Sequence, residues 1–346
     1  MSVLSRRPTI KDIAAEAGVS VATVNRVLAG TVAVRAETGR KVSEAARRIG
    51  YHGTNLISQR LRSDLPLVRF GFVLQKEKQS FYQNLVRHLE EAVENLETVR
   101  GELVVEFAPS QSPNAVSEIL LDIADRVDVV GATAVNHHLV NDAVRVLNKR
   151  GVPTFSIFSD FAQGERVNYI GMNNLKIGRG AGWLLAKTAR KPGKIALFVG
   201  GHRWHGHDLR EAGFRSFFRE HLPRFDVLDT LVNLETRVLT HEATLDLLSR
   251  HPDVVGIYVA AGGMEGAITA LMEERKPGEV ALVVNELTEE SRAGLASGYV
   301  NAVFGTPLEP LCAELVGYMV QATQGDTASI PGQRFFDTVL HVPELT

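Results

Sequence analysis

The residues with the clearest potential chemistry form a short segment near the N-terminus, between Ser20 and Leu28. Read as a helix, the segment buries Val24, Val27 and Leu28 on one side and leaves the other side open. The open side consists of Val21, Ala22, Asn25 and Arg26. Small side chains at the start of a helix permit close approach to a surface. An amide and a guanidinium can then hydrogen-bond the base edges that duplex DNA displays in its major groove.

The residues before this segment predict how it is held. Thr9 begins a helix, because its hydroxyl can cap free backbone amides and an acid, Asp12, follows three residues later. Gly18 ends that helix, since glycine tolerates the left-handed conformation, and Ser20 begins the next one. Two short helices joined by a glycine-containing turn form a helix-turn-helix. The alternative from these residues alone is an ordinary helical hairpin in a core.

The distribution of charge favours an anionic polymer as the partner of this region. Residues 1–64 hold eleven Lys and Arg against five Asp and Glu, a balance of +6, while the remainder of the chain has a balance of −8. A third helix, predicted from about Thr38 to Ile49, adds Arg40, Lys41, Arg47 and Arg48. A basic head on an acidic body is typical of nucleic-acid binding, although a solvated face can have the same bias.

From Val68 onwards, β-rich runs alternate with helical stretches. The predicted strands are Val68–Leu74, Leu103–Phe107, Val127–Gly131, Thr154–Ile157, Lys194–Val199, Val254–Val259 and Val280–Val284. This alternation predicts an α/β body with parallel sheets. Because the repeats are too many for one compact sheet, we expect two lobes with a break near Tyr169. A helix over 307–324 would return to the first lobe, and strands over 335–342 would complete the second.

The loops after the predicted strands carry polar and aromatic side chains. These are Gln75, Lys76, Ser80, Phe81, Tyr82, Thr133, Asn136, His137, Phe158, Ser159, Asp160, residues 200–210, Asn285 and Glu286. Ligands of open parallel sheets bind beyond the carboxyl ends of the strands, and between two lobes that place is a cleft that can close. Carbohydrate sites combine aromatic faces with planar polar groups. The set with that chemistry is Phe81, Tyr82, Asn173, Trp204, Arg210 and Glu286.

Three histidines, His202, His205 and His207, lie within six positions and could ligate zinc. They also suit a ligand-facing or solvated loop beside Trp204. The sequence near them offers no cysteine or clear acidic partner, so we predict no metal and no cofactor. His137 and His138 are interpreted as a loop pair.

Composition is that of a soluble globular chain, with 45% hydrophobic and 23% charged residues. No run approaches the roughly 18 apolar residues of a membrane span, and residues 1–7 have no signal-peptide pattern. Cys312 is the only cysteine, which excludes an internal disulfide and favours a buried core residue. These features predict a cytoplasmic protein without membrane contact.

The head resembles a known family. The runs TIKDIAAEAGVSVATVNRVLAG and RAETGRKVSEAARRIGY are similar to the LacI/GalR family of bacterial repressors, and NLISQRL resembles its hinge helix. The resemblance implies that the hinge folds on the operator and that Leu61 enters the minor groove, with Asn55 opening the hinge. The link before Asn55 is one residue longer than is usual and lacks proline, and the family's usual serine before Arg26 is Asn25.

The resemblance also implies roles for individual residues of the head. Val21 and Ala22 occupy the two positions that discriminate operators, so they would read shape and thymine methyls. Arg26 is then the best candidate for a guanine contact. Residues that would contact phosphate are Thr9, Ser20, Thr23 and Thr38. For these four hydroxyls capping is the alternative role, and both roles can hold together.

The body resembles the periplasmic-binding-protein-like sensor of the same family. Arg210 matches the family's effector-binding arginine, and Phe81 and Tyr82 match an aromatic pair that lines the cleft. Glu286 and Asn173 stand where the family usually has aspartate, so the effector's identity does not transfer. The predicted effector-binding residues are Phe81, Tyr82, Asn136, Asp160, Asn173, Trp204, Arg210 and Glu286. The alternatives are a buried salt bridge for Arg210 and interlobe packing for the aromatic pair.

These patterns predict a small all-α helix-turn-helix head, residues 1–54, then a hinge helix and linker, residues 55–65. The effector-binding and dimerisation domain follows over 66–346, with lobe 1 at about 66–168 plus 305–333 and lobe 2 at about 169–304 plus 334–346. The predicted function is a DNA-binding regulator, most simply a homodimeric repressor, that reads a pseudo-palindromic operator and responds to a small, sugar-like ligand. The chain ends without a heptad tail, which favours a dimer over a tetramer.

Two other classes of protein would fit the α/β body. One is a sugar-modifying enzyme, but the sequence contains no P-loop, GxSxG or HExxH motif, so we predict no catalytic residue. The other is a solute-binding protein, which the predicted head and the missing signal peptide argue against.

Overall fold

The computed structural model describes residues 7–29, 34, 36–52, 65–222, 224–330 and 332–345. The predicted hinge residues Asn55 and Leu61 lie outside these described residues. The chain divides into two compact units. One contains the described residues of Met1–Val68 and Glu94–Glu102, and the other those of Arg69–Val93 and Leu103–Thr346.

The head consists of three helices: α1 (Ile10–Ala17), α2 (Val21–Ala29) and α3 (Ala36–Arg48). At the start of α1 the backbone N–H and the hydroxyl of Thr9 both donate to Asp12, each over 2.7 Å. Gly18 ends α1 at a φ of 65°, and the Val19 N–H then donates back to the Ala14 carbonyl. This left-handed termination sets the tight turn into α2.

Apolar positions at helical spacing converge in the core of the head. Its buried members are Ile13, Ala14, Val24, Val27, Val42, Ala45 and Ala46. Val19 in the turn packs against this cluster, as do Ile49 and Tyr51 after α3. This packing buries the inner side of α2, whereas the outer side of the helix is exposed to solvent.

Thirteen strands are described in the body. They are β1 (Leu67–Leu74), β2 (Arg100–Phe107), β3 (Val129–Ala132), β4 (Thr154–Ile157), β5 (Asn168–Met172), β6 (Lys194–Val199), β7 (Asp226–Val227), β8 (Leu231–Val232), β9 (Val254–Val259), β10 (Ala281–Asn285), β11 (Ala302–Gly305), β12 (Gln333–Phe336) and β13 (Val339–His341). The α-helices among the described residues of the body are α4 (Ser80–Glu94), α5 (Pro113–Ile123), α6 (His138–Lys149), α7 (Asn174–Thr188), α8 (His205–His221), α9 (Arg237–Arg250), α10 (Met264–Glu274), α11 (Glu289–Ala296) and α12 (Leu308–Thr323).

The strands form two sheets. The first sheet has the order β12-β5-β4-β3-β1-β2, and the second has the order β13-β11-β10-β9-β6-β7, with β8 also paired to β6. In the first sheet β3 runs parallel to β1 and β4, and β5 runs parallel to β4 and β12. In the second sheet β6 runs parallel to β7, β8 and β9, and β10 runs parallel to β9 and β11, whereas β13 runs antiparallel to β11. Each sheet is buried beneath helices, with one apolar cluster running from Val73 to Ala162 and another from Ala196 to Val303. The predicted α/β class is confirmed.

The chain crosses between the two sheets three times: after β5, between β11 and α12, and between β12 and β13. The predicted break near Tyr169 is therefore displaced, because Asn168–Met172 is a strand of the first sheet. The expected strands over 335–342 do not both complete the second lobe, since β12 pairs with β5 and only β13 pairs with β11. Below, the first lobe means the first sheet with α4–α6 and α12, and the second lobe means the second sheet with α7–α11.

Local patterns explain which strands the sequence missed. β5 contains Asn168 and Gly171, and β7 and β8 have only two residues each, so these three do not show the apolar run that predicts a buried strand. β11 was missed as well, because its apolar run covers only the three residues before Gly305. None of the described helices combines the length and the hydropathy that a bilayer span requires.

Candidate functional site

The outer side of α2 carries the side chains that the sequence singled out for DNA reading. Val21 is 39% exposed, and Ala22, Asn25 and Arg26 are exposed as well. The Arg26 guanidinium points back along α2 and makes two long hydrogen bonds. Its Nε lies 3.4 Å from the Ala22 carbonyl and its Nη2 lies 3.5 Å from the Thr23 hydroxyl. Such marginal contacts leave the guanidinium able to turn outwards to a partner.

Two hydroxyls of the head, those of Ser20 and Thr9, are engaged in capping. Ser20 Oγ accepts from the Thr23 N–H over 3.1 Å and lies 2.9 Å from Thr23 Oγ1. Thr9 is used at the start of α1, and Thr38 is half-buried in the first turn of α3. The capping role of Ser20 leaves its oxygen with capacity for a further hydrogen bond, because a hydroxyl can donate once and accept twice.

The body contains a cavity of about 940 Å³ at the carboxyl ends of its parallel strands. Its lining residues lie at or after the ends of β1, β2, β3, β4 and β5 in the first sheet and of β6, β8, β9, β10 and β11 in the second. This volume is at the upper end of the roughly 300–1,000 Å³ of small-molecule sites. The location agrees with the rule that ligands of open parallel sheets bind at carboxyl ends.

Arg210 is the buried cation of this cavity, with 8% of its surface exposed. Its Nε donates to Asn174 Oδ1 over 2.8 Å, and its Nη1 donates to the Ala260 carbonyl over 2.6 Å. Asn174 Nδ2 in turn lies 3.3 Å from the Phe158 carbonyl. Arg210 makes no salt bridge within the described residues, so the alternative of a buried ion pair is not what the structure displays. Two of its nitrogens are fixed by uncharged acceptors, and Nη2 is left for another partner.

Glu286 lies across the cavity at the end of β10. Its backbone has a φ of 67°, which is unusual for a non-glycine residue. The carboxylate accepts from the Thr306 hydroxyl over 2.6 Å and from the Thr306 N–H over 3.2 Å. Burial raises the pKa of Glu286 above its ordinary value, against the lowering effect of Thr306 and Arg210. A strained residue held by two hydrogen bonds is a frequent feature of ligand sites.

Aromatic rings form the apolar part of the lining. Phe81 meets Tyr82 edge-on with centroids 5.3 Å apart and meets Phe158 at 5.2 Å. Trp204, 6% exposed, lies 6.0 Å from the ring of His207. These rings offer flat apolar surfaces beside the polar groups, which is the combination that a sugar ring requires.

Three lining side chains have a buried polar atom without a hydrogen-bond partner among the described residues: Thr133 Oγ1, His207 Nδ1 and Asn285 Oδ1. Leaving such groups unpaired costs about 1–3 kcal/mol each. Burial lowers the pKa of His207 to about 4, so its ring is neutral at physiological pH. A polar ligand or water in the cavity would satisfy all three atoms.

The structure brings five of the eight predicted effector-binding residues together. The cavity lining includes Phe81, Tyr82, Trp204, Arg210 and Glu286. The other three, Asn136, Asp160 and Asn173, do not line it.

The three misplaced residues have structural roles or point outwards. Asn136 is exposed. Asp160 is buried in an ion pair, with its Oδ2 2.7 Å from Arg166 Nη2, and it also accepts from Ser156. Asn173 caps α7 by accepting from the Lys176 N–H over 3.1 Å, and its neighbour Asn174 faces the cavity instead.

Glu235, like Asn174, is a lining residue that sequence reasoning missed. It follows β8, a two-residue strand with no clear pattern, so the rule that selects loops after strands did not reach it. The three histidines considered as zinc ligands begin α8 or precede it; His202 is exposed while His207 lines the cavity. No group of three or more potential metal ligands occurs among the residues that the structure describes.

Comparison with protein families agrees with this arrangement. Residues 70–327 match the model of the "Periplasmic binding protein domain", and residues 9–54 match that of the "Bacterial regulatory proteins, lacI family". The chain belongs to the periplasmic binding protein domain family and carries a lacI-family head. The resemblance of the head to the LacI/GalR family is thereby confirmed.

Two curated relatives match this chain over about a quarter of its length. The HTH-type transcriptional regulator RegA of Clostridium saccharobutylicum is 37% identical over 83 residues, 24% of each chain. The HTH-type transcriptional regulator MalR of Streptococcus pneumoniae serotype 4 is 41% identical over 76 residues, 22% of this chain and 23% of the relative. The matches thus span about a quarter of each relative's length.

Solved structures match the body. A periplasmic solute-binding protein of an ABC transporter from Actinobacillus succinogenes, with bound D-allose, superposes with a TM-score of 0.73. It shares 18% identity and covers 80% of this chain and 98% of its own. At this identity the likeness establishes the fold of the body.

Proposed function

We propose that this lacI-family protein is a sequence-specific DNA-binding transcriptional regulator, acting as a repressor in the cytoplasm, whose operator affinity is controlled by a small ligand. The observation that carries the proposal is the pairing of two features in one chain. The outer side of α2 exposes Asn25 and Arg26 beside small apolar residues, and the body holds a cavity with a partly free, buried Arg210. We propose a binding role and no catalysis.

The head supports a division of labour on DNA. Arg26, when turned outwards, can donate in a bidentate way to a guanine, and Val21 and Ala22 can contact thymine methyls. Ser20 and Thr23 at the start of α2 would contact phosphates while they continue to cap the helix. Two copies of the head on a homodimer would read both halves of a pseudo-palindromic operator, and the hinge residues Asn55 and Leu61 would add the minor-groove contact.

The cavity supports a sugar or sugar derivative as the ligand. Aromatic faces from Phe81 and Trp204 lie beside the planar groups of Arg210, Asn285 and Glu286. The unpaired Asn285 Oδ1 would accept a hydrogen bond from a hydroxyl group of the sugar. The unpaired atoms of Thr133 and His207 would donate to such hydroxyl groups or accept from them. The solute-binding protein that superposes on the body was solved with D-allose, a monosaccharide.

A gel-shift assay with the full-length protein and the DNA upstream of its own gene tests this function, with a panel of monosaccharides and disaccharides added in turn. We expect a discrete shifted band that one class of sugar abolishes. Arg26→Ala should lose specific binding and keep sugar binding, while Arg250→Ala, at an exposed arginine of α9 in the body, should keep both. Arg210→Lys should keep operator binding and lose the response to sugar.

Two results would contradict the proposal. The first is the absence of a shift with any neighbouring intergenic DNA together with turnover of a sugar substrate. The second is operator affinity in Arg26→Ala equal to that of the Arg250→Ala control, which would mean that Arg26 on α2 does not contact the DNA.

A further inference from the structure

A cluster of polar contacts joins the two lobes at one side of the cavity. Lys76, which follows β1, extends its Nζ to the Leu234 carbonyl over 2.9 Å and to Glu235 Oε2 over 3.1 Å. Gln111 Nε2 donates to the same Glu235 oxygen over 2.9 Å, and Gln79 Nε2 donates to the Glu235 carbonyl over 3.3 Å. Three side chains of the first lobe therefore converge on a two-residue segment of the second.

The backbone of that segment is held in an unfavourable conformation. Leu234 and Glu235 have φ values of 49° and 55°, in the left-handed region that non-glycine residues avoid. Asn233, fully buried, fixes them: its Oδ1 accepts from the Glu235 N–H over 2.9 Å, and its Nδ2 donates to the Gly262 carbonyl over 2.9 Å. The Asn233 side chain thus keeps the backbone in a strained conformation. Strain of this kind is typical of functional segments, which indicates that the orientation of the two carbonyl groups and of the Glu235 side chain serves a function.

The charged pair is shielded from solvent. The side chains of Lys76 and Glu235 are 21% and 17% exposed. Burial by itself raises the pKa of Glu235, but His207 and Lys76 outweigh it and hold that pKa below its ordinary value. Glu235 is therefore ionised at neutral pH. Among the described residues, Lys76–Glu235 is the only ion pair that joins the first lobe to the second.

The topology places this cluster away from the chain crossings. The crossings involve β5 and β12 at one edge of the first sheet, and β11 and β13 at one edge of the second. Lys76 and Gln111 follow β1 and β2, which form the opposite edge of the first sheet, and Glu235 follows β8, at the opposite edge of the second. Rotation of the lobes about the crossing segments would separate the two halves of the cluster first.

We infer that Lys76, Gln79 and Gln111 form, with Leu234 and Glu235, a latch that holds the cavity closed and limits the escape of its ligand. The effect of the latch on ligand release rests on the proposed function, because that effect requires that the cavity binds a ligand. The latch itself is a property of the body and can be measured with neither ligand nor operator.

The distance between the lobes in the ligand-free, full-length protein tests the latch. Nitroxide labels at Asn114→Cys and Glu242→Cys place one spin on α5, near Gln111, and one on α9, near Glu235; both native side chains are exposed and Cys312 is buried. Pulsed electron–electron double resonance measures the distance between the two labels. Dilution of the labelled protein with unlabelled protein restricts the signal to pairs of labels within one chain. We expect a dominant short distance in the labelled parent protein.

Breaking the latch should move the population to longer distances. Glu235→Ala and Lys76→Met should each lower the ratio of closed to open conformers about tenfold, because each removes a charge-assisted contact. The controls are Glu290→Ala and Lys78→Met, which remove exposed charges of the cavity rim and should leave the distribution unchanged. The double variant Lys76→Met/Glu235→Ala should open less than the sum of the two single effects, because the two residues share one ion pair. It should open somewhat further than Glu235→Ala, since Lys76 also donates to the Leu234 carbonyl.

Unchanged distances in both latch variants would overturn the inference, as would fully additive opening in the double variant. Either result would leave the proposed regulator intact, since operator shift and sugar release are measured separately. Conversely, the latch variants could open while the protein shifts no operator DNA. That result would support the latch and contradict the proposed regulatory function.

Discussion

Arg210 Nε donates to Asn174 Oδ1 across 2.8 Å, which ties the second turn of α8 to the first residue of α7 at the wall of the cavity. The uncharged side chain of Asn174 thus orients the guanidinium. Asn174 is itself held by the carbonyl of Phe158, in the loop that follows β4. Arg210 keeps its full positive charge for a ligand, because no carboxylate neutralises it through a salt bridge within the described residues.

Loss of Asn174 should both weaken ligand binding and lower stability. In Asn174→Ala the buried guanidinium loses the amide acceptor of its Nε, which should lower the free energy of unfolding by about 1–3 kcal/mol. The guanidinium is then no longer held in one orientation, and we expect about a tenfold loss of ligand affinity. Calorimetric titration with the sugar that releases the operator in the gel-shift assay measures it.

The neighbouring variant Asn173→Ala is the matched control. It removes the cap of α7 and should lower the free energy of unfolding by about 1 kcal/mol while sugar affinity stays within about twofold. The opposite pattern, with affinity lost in Asn173→Ala and kept in Asn174→Ala, would restore the assignment that the sequence favoured.

Ser20→Asp separates the two roles of the hydroxyl at the start of α2. Aspartate caps a helix about as well as serine, so the thermal midpoint of the head should be unchanged, whereas Ser20→Ala should cost about 1 kcal/mol. A carboxylate near phosphates should reduce operator affinity about tenfold or more, most strongly at low salt. Fluorescence anisotropy across a salt series measures this. Full affinity in Ser20→Asp would mean that Ser20 caps the helix and contacts no phosphate.

Gly178→Ala should be among the most damaging single-methyl changes in the body. A Cβ at Gly178 would overlap the carbonyl of Arg210, so α7 and α8 must move apart and displace the guanidinium. We expect a loss of about 2 kcal/mol in urea unfolding together with weakened sugar binding. Gly317→Ala on α12 is the control, because nothing lies within 4 Å of its Cβ and alanine favours a helix by about 0.5–1 kcal/mol. Equal effects in the two variants would contradict the close packing of α7 on α8.

The neutral, buried ring of His207 should make the protein less stable in mild acid. Burial lowers the pKa of His207 to about 4 in the folded state, while the unfolded chain has a pKa of about 6.5. Between these values the unfolded state binds a proton that the folded state does not, so the free energy of unfolding falls as the pH decreases. This residue should contribute a loss of about 2 kcal/mol between pH 7.5 and pH 5.

Comparison of the parent protein with His207→Gln isolates that contribution, because other groups titrate in both. The variant should gain stability relative to the parent as the pH falls, and a change at the exposed His202 should not alter the slope. Parallel pH profiles for the parent and His207→Gln would show that folding does not lower the pKa of His207, which would contradict the prediction.

The sequence alone predicted the elements whose signals are local. The start of α1 at Thr9, its end at Gly18 and the open side of α2 follow from capping, left-handed termination and helical spacing, and each involves residues within a few positions of one another. Lys194–Val199 and Val254–Val259 were predicted at their observed bounds, because a buried strand reads as a continuous apolar run. Arg210 was found because it follows such a strand.

Tertiary structure decided what depends on pairing between distant segments. β12 joins the first sheet and β13 the second, although only two residues separate them, because each finds its partner in a different part of the chain. Asn174 rather than Asn173 meets Arg210, since the helical start turns adjacent side chains in different directions. Lys76 and Glu235 are 159 positions apart, and nothing local to either predicts that the two sheets bring them within 3.1 Å.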